Sequence, residues 1–556
     1  MSNSGNEPKS GVELAFGAGL MGLAYWLYPE GDASFQQWMF MGISGFMGAV
    51  TAGKGLQTLQ LNRKTKQARL AAMEPTGTYG AAHFASLDEL RAEGLTHPAG
   101  LFLGVQDGAP LFYDGKAHLL TVAPARQGKG ISVVIPNLLH FQGSVFVTDP
   151  KGELAGVTAK HRAETFGQKV FVLNPWGLHG LPQHRFNPLQ GLLEAFEDEH
   201  LRRGIMDDVS ALALQLLPEP ADGKNKFFRE GSRKILRALL LHFATRDMAD
   251  KCTLTELWRT IQNVSRFKDT LVAMAGNESL NGIIADFADD LSYFMRDNPE
   301  QFGDFREGAS QSISIFDPNG YVGESVSASD FSFRELKEGK VSVYLVIPPD
   351  RIVTHGAWLG LLTKQAIDAV GRTSGNARVL FMLDEFANMG KLAGLAESLT
   401  ALPGLGVRVW MIVQELADLR RVYGHDTTQT IASQAEVKQF FAVQSPELAK
   451  ALSAQLGQRT VKTMSMNLGK KDTDEVGQNV GETGRPLLSA DEIRQLPATK
   501  QLLLVKSLAP ILSDRTAYWS VAPWNVWAAP NPVEGAHPFS VPKFTLNYKT
   551  KGGSDV

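Results

Sequence analysis

Two short stretches carry residue types that act together on phosphate esters. The first is "ARQGKG", residues 125–130, set between the apolar run "AHLLTVAP" and the helix-prone run "ISVVIPNLLHF". A strand-to-helix turn of this kind aims backbone N–H groups and the positive end of a helix dipole at an anion, and a lysine there reaches the outer phosphates of a nucleotide. Against the pattern G-x-x-x-x-G-K-[ST], Gly128 and Lys129 are in place, but Ala123 stands for the first glycine and Gly130 for the Ser/Thr. Ala123 is compatible with such a loop if its φ is negative. Gly130 removes the hydroxyl that usually contacts magnesium, and Ser132 lies two residues further on. Alone, Ala123, Pro124, Ala125, Arg126, Gln127, Gly128, Lys129, Gly130 and Ile131 form a candidate nucleotide loop or an ordinary strand–turn–helix.

The second stretch is "ARVLFMLDEFANMG", residues 377–390, an apolar strand ending in Asp384-Glu385. Two acids leaving a buried strand are costly without a cationic partner. A magnesium ion supported by Asp384, with a water polarised by Glu385, would supply one. The plainer alternative is a pair of residues capping the next helix, and the upstream loop weighs against it. Because successive strand side chains point opposite ways, the two acids are expected to do different work. Gln414 closes the strand "GVRVWMIVQE", where an amide can sense a γ-phosphate or simply face solvent. Asp149, Lys151 and Glu153 in "VTDPKGE" sit at a further strand exit, on the edge where α/β sheets bind ligands. A type I turn explains "DPKG" equally well.

These residues need a scaffold, and the surrounding pattern supplies one. "GSVFVTD", "KVFVLNPW", "KVSVYLVIPP", "ARVLFMLDEF", "GVRVWMIVQE" and "EVKQFFAV" are short Val-, Ile-, Leu- and Phe-rich runs, as in a parallel sheet covered on both faces. Pro136 should kink the helix after the loop. From about residue 190 to 328 the spacing of apolar residues turns helical, which reads as an all-α insertion. Near the start, residues 14–29 and 33–53 carry no charge, and Glu30 and Asp32 lie between them. Lys9 precedes the pair, while Lys54, Arg63, Lys64, Lys66 and Arg69 follow it. Positive-inside reasoning makes this a transmembrane helical hairpin with both ends in the cytoplasm, and Tyr25, Trp26, Tyr28 and Trp38 an aromatic belt. A pair of Gly-rich buried helices is the alternative.

Composition sets the outer limits. A chain of 556 residues exceeds one core. With 44% hydrophobic and 20% charged residues, wholesale disorder is excluded. The net charge of −3 offers no global field for nucleic acid, and one cysteine, Cys252, excludes a disulfide framework or a Cys-rich zinc site.

In order along the chain, "APARQGKGISVVIPNLL", "GSVFVTDPKGEL", "VSVYLVIPPDR", "VLFMLDEFANMGKL" and "VRVWMIVQELADLRRVYG", with "RPLLSADEIRQLP" near the end, resemble the TraG-like type IV secretion coupling proteins, similar to the FtsK/HerA class of DNA pumps. In that family a G-K-G loop is common. The resemblance implies an α/β, RecA-like P-loop domain with an all-α insertion and an N-terminal transmembrane hairpin. It implies an inner-membrane ATPase, hexameric, using ATP and magnesium to feed DNA–relaxase complexes or proteins to a type IV secretion channel. Lys129 would contact phosphate, Asp384 support magnesium, Glu385 activate water and Gln414 read the γ-phosphate; Asp149 and Lys151 would be accessory. Relatives with a trans-acting arginine carry it before the Gln-bearing strand, and Arg408, Arg420 or Arg421 would fill that role here. The expected boundaries are 1–70 anchor, 71–190 and 329–520 nucleotide-binding domain, 191–328 insertion and 521–556 tail. A protein-effector receptor without a DNA role and a non-hydrolysing scaffold are the rival readings.

Overall fold

The computed structural model describes residues 7–26, 31, 34–73, 75–220, 223–467, 477–536 and 541–547. Apart from the two-residue strands Val521–Ala522 and Phe544–Thr545, its strands mostly follow the apolar runs. They are β1 (Leu101–Gln106), β2 (Ala109–Tyr113), β3 (His118–Val122), β4 (Ser144–Asp149), β5 (Lys169–Leu173), β6 (Val341–Val346), β7 (Val379–Leu383), β8 (Val407–Val413), β9 (Ala435–Phe440), β10 (Gln458–Asn467), β11 (Gly477–Pro486), β12 (Lys500–Val505) and β13 (Ile511–Asp514). Eleven of them make one sheet in the order β2-β1-β13-β12-β9-β3-β8-β7-β4-β6-β5. Every residue of β3, β4, β6, β7 and β8 is buried, as expected of strands covered on both faces.

The sheet is mixed rather than wholly parallel. From β9 to β5 all pairings are parallel. Beyond β9, strands β12, β13, β1 and β2 continue it antiparallel. The Gly- and Pro-rich stretch before residue 117 therefore holds two sheet strands, joined by the tight turn at Asp107-Gly108, where both residues have positive φ. The segment after the loop begins as a π-helical turn, Gly130–Val134, and becomes α-helical over Ile135–His140. Pro136 occupies the first turn of that helix, a position where its missing N–H costs nothing, so it starts the helix instead of kinking it.

Between β5 and β6 the chain is helical. The helix Lys226–Phe243 buries Ile235, Leu236 and every residue from Ala238 to Phe243, so its last turn is covered on all sides. Thr253 and Asn263 cap the next two helices by accepting from the N–H groups of Glu256 and Arg266. Toward the C-terminus Trp524 is fully buried, so residues past 520 contribute to the core. The end of the expected tail, from residue 548, lies outside the described residues.

The structure divides into two compact units, one made of residues 1–82 and 453–489 and the other of 83–452 and 490–556. The eleven-stranded sheet belongs to the second. In the first, α1 (Glu7–Trp26) and α2 (Phe35–Met73) pack side by side, and β10 pairs with β11. The helices approach closely at glycines: a Cβ on Gly17 would come within 2.6 Å of Ala52 N, and one on Gly48 within 2.9 Å of Gly17 O. Among the described residues no helix is long and apolar enough to cross a membrane, so the two expected spans find no support in the described helices. The reason is composition. Glu7, Lys9 and Glu13 enter α1, many of its remaining positions are Gly or Ala, and α2 runs on past its apolar part into Lys54, Arg63 and Lys64. The linking acids Glu30 and Asp32, Tyr28, and the side chains of Lys9, Lys66 and Arg69 lie outside the described residues.

Candidate nucleotide site

Parallel pairing brings four strand exits to one edge of the sheet. Val122 is opposite Val413, Leu383 opposite Met411, and Thr148 opposite Leu383. The loop after β3, Gln414 after β8, Asp384-Glu385 after β7 and Asp149 near the end of β4 thus share the carboxyl edge, where open α/β sheets bind ligands.

The loop is shaped for backbone donors. Ala123 is buried and donates its N–H to Val413 O at 3.0 Å. It is not among the residues of positive φ, so alanine suits the place of the first glycine. Arg126 and Gly128 do take positive φ, 59° and 78°, turning the chain sharply before the helix. Ser132 donates its hydroxyl to Gly128 O at 2.8 Å, so it holds the loop together rather than replacing the hydroxyl missing at Gly130.

Lys129 is 7% exposed, and its ammonium is met by both acids, Glu385 Oε1 at 3.1 Å and Asp384 Oδ1 at 3.8 Å. Glu385 also accepts from Gln414 Nε2 at 3.0 and 2.9 Å and from Asn388 Nδ2 at 3.1 Å. Lys129, Asp384, Glu385 and Gln414 are therefore one connected cluster. The strand ends at Leu383, one residue before the acids, and Glu385 is left-handed at φ 56°. Both carboxylates can then reach one lysine, which the alternation of a continuing strand would forbid. Burial pushes the Asp384 carboxyl up to about 6, against the attraction of Lys129.

The accessory candidates separate. Asp149 is 1% exposed and accepts from Ala155 N at 2.8 Å, at the start of the helix Glu153–Glu164. It is a buried cap, and burial pushes its carboxyl up to about 6. Lys151 is exposed on the same turn. Arg408 is paired in register with Leu380 near the start of β8, on the order of 17 Å from the exit at about 3.3 Å per residue. It packs under Phe141 and approaches Asp114 at 3.6 Å. Arg420 pairs with Glu447 and Arg421 with Asp418. The sequence reading passed over three residues: Thr148, whose hydroxyl donates to Asp384 O at 2.9 Å; Asn388; and Arg515, which donates to Gln127 O in the loop. The first two stand inside the quoted motifs. Arg515 is 388 residues from its partner, and no local pattern marks it.

The donor set fits a magnesium–nucleotide. A lysine, a turn of left-handed residues and a helix start suit phosphates. Among the described residues no group of three or more His, Cys, Asp or Glu could hold a metal; a magnesium ion here would rest on Asp384 and the nucleotide's own phosphate oxygens.

The family model described as type IV secretory system conjugative DNA transfer matches residues 83–547. The chain is 25% identical to Protein VirD4 of Rhizobium rhizogenes over 459 residues, 80% of this chain and 66% of that one. It is 29% identical to the conjugal transfer protein TraG of Escherichia coli over 416 residues, 70% of this chain and 63% of that one. It spans about two thirds of the length of these relatives. Among solved structures, the bacterial conjugative coupling protein TrwBdeltaN70 shares the fold with a TM-score of 0.58 at 17% identity, over 79% of this chain and 96% of that one. TrwB in complex with ADP and Mg2+ superposes at 0.56 and 16% identity, covering 78% and 94%.

Proposed function

Because the chain belongs to the type IV secretory system conjugative DNA transfer family, we propose that it is an ATP-driven coupling protein. It recruits DNA–relaxase complexes or protein cargo and feeds them to a secretion channel. The observation that carries this reading is the buried cluster of Lys129, Asp384, Glu385 and Gln414 at the sheet's carboxyl edge. Lys129 and the loop N–H groups hold the phosphates, and Asp384 supports magnesium, which supplies charge neutralisation on the phosphates. Glu385 holds the attacking water and takes its proton, while Gln414 orients Glu385 by donating to both its oxygens. The relative TrwB is known in complex with ADP and Mg2+, which agrees with these cofactors.

The chain acts as a ring, hexameric, at the bacterial inner membrane with both ends cytoplasmic. Support for membrane attachment comes from α1 and α2, whose Phe16, Trp26, Phe40 and Phe46 are 63%, 79%, 64% and 72% exposed, an apolar surface that water does not favour. The proposed division is a nucleotide-binding domain at 71–190 and 329–520, and a cargo-recruiting insertion at 191–328. The test is ATP turnover by the purified full-length chain with single- and double-stranded DNA added. Turnover stimulated by DNA supports the pump. Turnover indifferent to DNA favours a protein-effector receptor, and no turnover a docking scaffold.

A further inference from the structure

The C-terminal motif "RPLLSADEIRQLP" leads into the hairpin of β12 and β13, and the residue that follows it, Arg515, touches the phosphate loop. After β13, Arg515 is fixed by its own N–H, which donates to Thr499 O at 2.7 Å. Its guanidinium lies over the Phe441 ring at 4.2 Å, and Phe441 is 1% exposed at the end of β9, beside β3. From that platform one arm donates to Ala498 O and the other to Gln127 O. The Nε is buried without a partner. A Cβ on Gly128 would come within 3.6 Å of Nη1, so the guanidinium lies directly against the turn.

We propose that Arg515 is a positioning residue for the phosphate loop, setting the orientation of the Gln127–Gly128 peptide. In a trans peptide the C=O and the following N–H point in opposite directions. Arg515 draws the Gln127 carbonyl toward the C-terminal strands, so the Gly128 N–H turns away from them, to the side where the loop closes round an anion. Gly128 needs this restraint, because glycine at φ 78° loses little by rotating to another conformation. Without Arg515 the peptide can flip and present a carbonyl to the phosphate. The planar guanidinium reaches two carbonyls at once while stacked on a ring, which an ammonium cannot copy. Arg515 thereby becomes part of the nucleotide site, although it lies 101 residues beyond Gln414, the last residue of the cluster.

This inference rests on the nucleotide-binding reading of the loop, and the experiment separates the two. Binding of a fluorescent ATP analogue with magnesium, KM, kcat and melting temperature are measured on the full-length chain for the native protein, Lys129→Ala, Arg515→Ala and Arg515→Lys. A cradle that binds ground and transition states alike changes KM and leaves kcat. Arg515→Ala is therefore expected to raise Kd and KM on the order of tenfold, as for loss of a charged hydrogen bond, with kcat changed less than about threefold. Arg515→Lys is expected to recover part of the affinity, and it decides the matter if the alanine variant does not fold. Native affinity in both Arg515 variants, or a fall in kcat at unchanged KM, overturns the proposal. No binding by the native chain, or equal binding by Lys129→Ala, overturns the nucleotide reading itself.

Discussion

Lys129 Nζ and Glu385 Oε1 stand 3.1 Å apart across the carboxyl edge of the sheet, so the loop lysine and the proposed base share one ion pair. In the proposed mechanism a phosphate that takes Lys129 would draw it from Glu385, leaving Glu385 to hold a water. The Gln414 amide, bonded to both carboxylate oxygens, would keep Glu385 in place through that exchange.

Glu385→Gln keeps the shape of the side chain and removes its charge. ATP affinity should be retained or improved, since Lys129 is no longer held by a full carboxylate. Turnover should fall on the order of 10²-fold or more, as for loss of a general base. Equilibrium binding and steady-state turnover, taken on the same preparation, check both halves. Near-native turnover would remove Glu385 from the chemistry.

Lys129→Ala tests the same pair from the other side. It leaves Asp384 and Glu385 facing each other in a mostly buried site without their cation, which should cost about 3–5 kcal/mol of stability besides nucleotide binding. Adding Glu385→Gln should restore part of that loss, because one uncompensated charge is removed. Denaturant melts of the two single variants and the double variant give the coupling. Additive losses would mean the pair is not an energetic unit.

How much of this was legible beforehand differs by residue. The strand exits were readable because an apolar run of five or six residues ending in Asp-Glu, Gln or Asp-Pro has few alternatives. Their convergence followed from parallel strands sharing a carboxyl edge. The antiparallel extension by β12, β13, β1 and β2 was not readable: its two hairpins are local, but they join each other only through a pairing far along the chain, Val105 with Asp514. Arg515 was hidden for the same reason. The two acids were expected to point apart, yet the left-handed Glu385 brings both to Lys129, and a lone φ value leaves no trace in spacing. Asp149 could be placed on the right edge, but only its burial shows a helix cap. For the first helices, lack of charge suggested a span where Gly and Ala keep the hydropathy low.

Asp149 gives a pH prediction. Burial raises its carboxyl to about 6, above the unfolded value near 3.9. The folded state therefore binds its proton more tightly, and the stabilising contribution is fully present below about pH 4 and lost as the pH rises through about 6. Over that window the loss is about 3 kcal/mol at most. Asp149→Asn carries no titrating proton and can still accept from Ala155 N. The stability of Asp149→Asn relative to the native chain should thus rise between pH 4 and 7 and level off beyond. Melts at several pH values measure it, and a difference that stays constant would mean that the carboxyl titrates alike in folded and unfolded chains.

The last prediction concerns Gly130, the position that makes the loop look defective. Two explanations exist for a glycine where Ser or Thr is usual: the site has no room for a side chain, or the hydroxyl is dispensable. The geometry distinguishes them, because a Cβ on Gly130 would meet nothing within 4 Å, and its φ is not positive. Gly130 also opens a helical turn, where serine is a better helix former than glycine by a few tenths of a kcal/mol. Gly130→Ser should therefore fold at least as well as the native chain and keep turnover within about threefold. If the added hydroxyl reaches the metal, the magnesium concentration for half-maximal turnover should fall as well. Magnesium titrations of the native chain and Gly130→Ser, with melting temperatures alongside, decide the matter. A collapse of turnover at unchanged stability would mean that phosphate binding needs a bare backbone at this position.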